Sequence, residues 1–260
     1  MHFQLSHLVA FLALTPFAAA HGKVSAVVGD AGGNGTALGI IGGIVPGAGK
    51  NSVTEVDTTV FKRKRIATNG LGTTMRGGKN KAADLHMAMA QSGDTLPQVS
   101  DGGYIAGTFH IVTTDGAGPV SAVIDPGATG AFSKGINTTV VENVPGKKGN
   151  IKANGKVARA LQAMGLMKRA ANVNKTFPFN ITVPAGTTCT GAVAGLQNVC
   201  FMKIANANKA GPFGGVIAFQ MAGAAAPNIT TAVVSQAARA NARVDMSAAI
   251  GATMAKRFVA

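Results

Sequence analysis

The sequence predicts a mainly β fold, an antiparallel β-sandwich of immunoglobulin or fibronectin type with inserted helices. Short runs rich in Val, Ile, Phe and Thr recur along the chain, each bounded by Gly, Pro, Asn or Asp. Thirty-five glycines in 260 residues supply turn positions at short intervals. Strands this short and this often punctuated favour packed antiparallel sheets over alternating βαβ units. The length is enough for one large domain with a sizeable core.

The elements follow in chain order. Residues 1–20 (MHFQLSHLVAFLALTPFAAA) hold an apolar run over 8–17, then Ala18-Ala19-Ala20, the small-residue pattern of a signal-peptidase site. The n-region lacks Lys and Arg, and the apolar run is too short to anchor in a bilayer. Cleavage after Ala20 leaves a secreted, extracellular chain of 240 residues that starts His21-Gly22-Lys23-Val24. Residues 23–29 alternate weakly and read as a first strand. Small residues dominate 30–50, a loop with one short apolar strand over 38–45. Residues 81–92 (KAADLHMAMAQS) carry helix formers and stop at Gly93. The clearest strand is 104–114, set between Gly102-Gly103 and Asp115-Gly116. Residues 120–124, 137–144, 176–183, 199–204 and 216–221 read similarly, and 157–171 (VARALQAMGLMKRAA) reads as a helix inserted between strands. From 227 onward the chain is Ala-rich, with Met246, Ile250, Met254 and Phe258 at i+4 spacing beside Arg239, Arg243, Lys256 and Arg257. The expected organisation is a signal peptide over 1–20, a β domain over 21–226, and a basic helical or flexible tail over 227–260.

Secretion sets the chemistry of several residues. Cys189 and Cys200, the two cysteines of the chain, enter an oxidising compartment and are expected to pair. Asn34, Asn137, Asn174, Asn180 and Asn228 head N-x-Ser/Thr sequons and are candidate glycosylation sites. The Asn180 sequon lies in an expected strand, so some sequons go unused. The run Lys62-Arg63-Lys64-Arg65 reads as an exposed basic loop, with a processing site as the sharper alternative.

Composition excludes several functions. The chain carries 24 Lys and Arg against 10 Asp and Glu, a formal net charge of +14, with 47% hydrophobic residues. That apolar content rules out an acidic disordered chain. Two cysteines rule out a four-cysteine zinc site, and scarce acids disfavour a calcium cage. Residues 43–51 (GIVPGAGKN) fail the phosphate-loop pattern at Ile44 and Asn51. There is no G-x-S-x-G elbow and no H-E-x-x-H. A glycosidase needs two placed carboxylates, yet acids such as Asp101 (before Gly102) and Asp125 (before Pro126) sit in turn contexts.

Imidazole chemistry is what remains. Cleavage would make His21 the N-terminal residue, offering its α-amine and ring nitrogen to one metal ion. With a second imidazole, His110 or His86, three nitrogens would suit tetragonal Cu(II). The competing reading takes His21 as simply the first mature residue and His110 as a hydrogen-bonded strand histidine. Spacing alone favours that reading. His86, among Leu85, Met87 and Met89, reads as a partly buried helix histidine.

Three stretches resemble a secreted fungal family, the appressorium-associated, Egh-sixteen-like virulence factors. They are Ala20-His21-Gly22-Lys23-Val24; residues 96–99 (LPQV) through 109–119 (FHIVTTDGAGP); and residues 184–191 (PAGTTCTG) with Cys200 and residues 206–215 (NANKAGPFGG). The resemblance implies a secreted effector acting at a host or cell-wall surface during penetration. The mature start is also similar to that of copper lytic polysaccharide monooxygenases, which implies a copper histidine brace of His21 and His110 with Phe213 as axial neighbour. On that similarity the alternative function is oxidative cleavage of a cell-wall polysaccharide. Further family cysteines are expected near 69–72, after Pro119, near Lys203 and after Gly215, and this chain has none there. The expected partners are a cell-wall polysaccharide or another acidic surface, with weak membrane-surface contact by the tail. Nucleic acid is not expected of a secreted chain, and a monomer is.

Overall fold

The computed structural model describes residues 22–42, 44, 51–152, 164, 172–209 and 211–223. The signal segment, the helix expected over 157–171 apart from Met164, and the tail from 227 lie outside them.

The strands are β1 (Gly22–Gly29), β2 (Gly32–Gly35), β3 (Thr59–Val60), β4 (Thr73–Thr74), β5 (Gly78–Lys79), β6 (Gln98–Val99) and β7 (Tyr104–Thr113). They continue as β8 (Val120–Asp125), β9 (Ile136–Asn137), β10 (Thr139–Glu142), β11 (Asn172–Thr182), β12 (Gly191–Val193), β13 (Leu196–Asn206) and β14 (Phe213–Met221). Two helices accompany them, α1 (Asn51–Thr54) and α2 (Leu85–Ser92). The mainly β fold is as expected. Its long strands fall where β-branched and aromatic residues are densest, because such side chains pack well on a pleated surface.

The sheet differs from the antiparallel sandwich in two respects. Its hydrogen bonding is continuous along the order β10-β11-β7-β1-β14-β13-β8-β9, and it is mixed, since β14 runs parallel to both β1 and β6. The two ends of that order are neighbours in the chain, separated only by Thr138. Thr138 donates to Ala122 O on β8 (3.0 Å), and the Asn143 amide bonds both backbone groups of Val120. The sheet therefore curls until its ends meet. Its concave face gathers Val24, Phe109, Ile111, Phe179, Met202, Ile204 and Phe219 into one buried cluster.

A bulge adjusts β1 to this interior. Val24 and Val27 both belong to the inner cluster although three residues apart, and simple alternation would put them on opposite faces. The register shift at Ser25 inserts one extra residue and returns Val27 inward. The Cys189–Cys200 disulfide lies in the same cluster, as the two-cysteine count anticipated.

Residues 38–42 form no strand, contrary to expectation. Leu38 is instead buried over the convex face, its N–H bonded to Val216 O. The extra strand is the glycine-rich β2, paired with β1. The 81–92 helix is a single 3-10 turn (Ala82–Asp84) leading into α2, which ends at Gly93 with φ +111°. A second buried cluster sits on the convex face, where Leu38, Phe61, Leu85 and Phe132 cover Val123, Phe201 and Val216.

Candidate functional site

His110 lies mid-strand on β7, opposite Lys23 of β1 and Thr176 of β11. Residues paired across a sheet share a face, so these three side chains stand together on the convex side. Val24 and Phe109, one step along each strand, point into the core.

Lys23 is buried, and two carboxylates converge on it. Its Nζ lies 2.8 Å from Asp57 Oδ1 and 3.2 Å from Glu55 Oε2. Both acids come from the turn after α1. There Thr58 donates its backbone N–H and its hydroxyl to Glu55 O. Along Glu55-Val56-Asp57 the two acids are two residues apart, and both reach the same ammonium.

The His110 imidazole sits against this ion cluster and is itself 7% exposed. Burial pushes its pKa below the ordinary histidine value; Glu55 and Asp57 oppose that shift and Lys23 adds to it. Nδ1 lies 3.1 Å from Thr176 Oγ1. In the tautomer with its proton on Nδ1, the ring donates to Thr176 and leaves the Nε2 lone pair available. Nε2 is buried and makes no hydrogen bond among the described residues. An imidazole whose one nitrogen is fixed by a hydrogen bond and whose other is bare suits metal ligation.

Other candidate residues fall elsewhere. His21 immediately precedes β1 and lies outside the described residues. Gly22 must stay bare: a Cβ there would come within 2.4 Å of Gly116 O and 2.6 Å of the Phe109 ring. Phe213 is fully buried at the start of β14. Gly214, the next residue, pairs with Lys23, so alternation puts Phe213 on the face opposite His110. The register therefore does not bring Phe213 to the imidazole. His86 is exposed on α2, bonded to Ala83 O, and α2 packs on β2 at the other end of β1. Among the described residues no group of three or more His, Cys, Asp or Glu could hold a metal ion. A metal at His110 thus needs ligands from outside them.

Of the sequons, Asn34, Asn137 and Asn174 are exposed, while Asn180 is half-buried within β11. Asn228 lies outside the described residues. Sequence reasoning missed Lys23, Glu55 and Asp57 as a unit. The available signal was the alternation in Thr54-Glu55-Val56-Asp57-Thr58-Thr59, which repeats acids at strand spacing just before a β-branched pair.

The fold and site define a mainly β protein whose strand histidine is held against a buried ion cluster. The Egh16-like virulence factor family matches residues 19–214, and the chain belongs to that family. It is 32% identical over 235 residues to the appressoria-specific virulence factor GAS1 of Pyricularia oryzae, covering 90% of this chain and 85% of that one. It is 39% identical over 134 residues to the appressoria-specific virulence factor GAS2 of the same organism, covering 50% of this chain and 39% of that one. No solved structure matches the chain. Among the described residues no helix is long and apolar enough to cross a membrane.

Proposed function

We propose that this protein is a secreted, virulence-type effector acting at a host or cell-wall surface, and that it carries a copper site made by His21 and His110. Family membership and the names of its relatives support the first part. The bare, buried Nε2 of His110 is the observation that supports the second.

Removal of residues 1–20 would leave the His21 α-amine and ring as two nitrogen donors, with His110 Nε2 as the third. When bound, copper supplies one-electron redox chemistry. Thr176 holds the His110 ring through Nδ1, and the Lys23 cluster fastens the start of β1 beside it. Gly22 lets that strand start lie flat on Phe109.

Cu(II) titration of the mature chain beginning at His21, read by electron spin resonance, tests the site. Sub-micromolar binding with a nitrogen-rich signal is expected. One alanine added before His21, or His110→Ala, should weaken binding about 100-fold, and Thr176→Val by about 10-fold. Thr176 completes the Asn174 sequon, so that variant is compared in unglycosylated protein. Unchanged affinity in the extended chain overturns the copper site. Oxidised oligosaccharides released by the copper-loaded protein from a wall polysaccharide would make it an enzyme as well.

A further inference from the structure

The convex face carries a second polar feature, three strands from His110 across β1 and β14 and two residues along β13 from the level of His110, so about 16 Å away between backbones. Lys203 of β13 is paired with Val123 and Val216, both fully buried. Its ammonium lies 4.9 Å from the Phe61 ring centroid and 4.3 Å from that of Phe132, and it donates to Thr68 O. The side chain is almost wholly buried, yet no carboxylate meets it among the described residues.

Lys203 forms part of the wall of a cavity of about 250 Å³. Lys62, Arg63 and Lys79 also line it, together with Asn69 and Asn80, and no acid does. Residues 62 and 63 open the exposed basic run 62–65 that the sequence presents without a use. Four cations around one cavity repel one another and gain by taking up a negative charge. The volume lies just below the usual range for small-molecule pockets, enough for one sugar-sized unit.

We propose that this cavity is a binding site for a single anionic group, such as the carboxylate of a uronate sugar unit or a free phosphate ion. Lys203 supplies a fixed charge at its wall, held between two aromatic rings and a carbonyl. Lys62, Arg63 and Lys79 supply mobile charge at its mouth. His110 does not line the cavity, so the site does not depend on that imidazole.

Calorimetric titration of the mature chain with trigalacturonate, its methyl ester and inorganic phosphate tests the site. The acid trimer or phosphate should bind at low salt, and the neutral ester at least tenfold more weakly. Tight binding of the trimer with weak phosphate identifies uronate as the ligand; the reverse identifies phosphate, and both support an anion site. Arg63→Ser with Lys79→Ser, at exposed positions that leave the core intact, should weaken binding about fivefold or more. Lys203→Met should weaken it further while the protein stays folded by circular dichroism. Equal affinity for acid and ester, absence of anion binding at low salt, or affinity unmoved by both variants overturns the site.

Discussion

Lys203 shows how one residue can cost stability while shaping a surface. Burial without an anionic partner lowers its pKa to about 8, from an ordinary 10.5. Between those two values the unfolded chain binds more protons at this position than the folded chain, so stability rises with pH through that window. Below pH 8 the folded protein bears the full cost of the buried ammonium. Lys203→Met keeps the stem volume between Phe61 and Phe132 and removes the charge. The variant should melt at a higher temperature than the parent at pH 7, and the gap should close as pH rises from 8 toward 10.5. Melting curves of both proteins over that range check this; a gap that widens instead would place the cost elsewhere. The ordinary rule that a lone buried lysine is expensive explains why a hydrophobic residue would be the stable choice here. The cysteines expected near 69–72 and near 203 are also informative, because Lys203 meets Thr68 directly. The resemblance expects a cysteine in each of these two neighbourhoods, and the fold brings them into contact.

At the scale of elements, the turn after α1 is fastened to the sheet through Lys23. Glu55 is 0% and Asp57 2% exposed, so Lys23→Ala would take a shared ammonium away from two carboxylates held out of water. Breaking a buried pair from one side typically costs about 3–5 kcal/mol, and chemical denaturation of the variant should show a loss of that size. Glu55→Gln with Asp57→Asn in the same variant should recover part of it, since neutral amides no longer need the ammonium. The same cluster marks the limit of what the sequence discloses. Strands β7, β8, β13 and β14 were legible because β-branched and aromatic residues lie between Gly, Asp and Pro, and local composition alone sets them. His110 was legible as a candidate because it sits on the clearest of these strands. Its neighbours were not, because Lys23, Glu55 and Asp57 are joined only by a register and a loop crossing that no local pattern encodes. Phe213 is a related case. Its chain neighbourhood matched the resemblance, but alternation against Gly214 puts it on the face opposite His110. The parallel β1–β14 ladder that joins the two halves of the sheet was likewise invisible, since it pairs residues near opposite ends of the described chain.

Over the whole molecule, charge of the two signs is distributed differently. Most of the described acids are tied down internally. Asp125 accepts from the backbone N–H groups of residues 127, 129, 130 and 131, Asp30 from those of Ser100 and Tyr104, and Asp101 from that of Gly186. Basic residues instead accumulate at the surface: residues 58–83 hold seven Lys and Arg and no acid, and all seven are exposed. The segment 227–260 holds four basic residues and one acid, +3 of the total +14, which leaves +11 on the rest. If an acidic polysaccharide is attracted by this field, the folded body should dominate the attraction rather than the tail. On a column of de-esterified pectin, protein lacking residues 227–260 should elute at only slightly lower salt than the full mature chain. Replacing residues 62–65 by serine removes four charges from one exposed run and should lower the eluting salt more than the deletion does. Retention by methyl-esterified pectin should be weak for all three, because opposite-charge attraction is what salt screens. Loss of retention on deleting the tail, with the 62–65 variant unaffected, would move the contact from the sheet's convex face to the C-terminal segment.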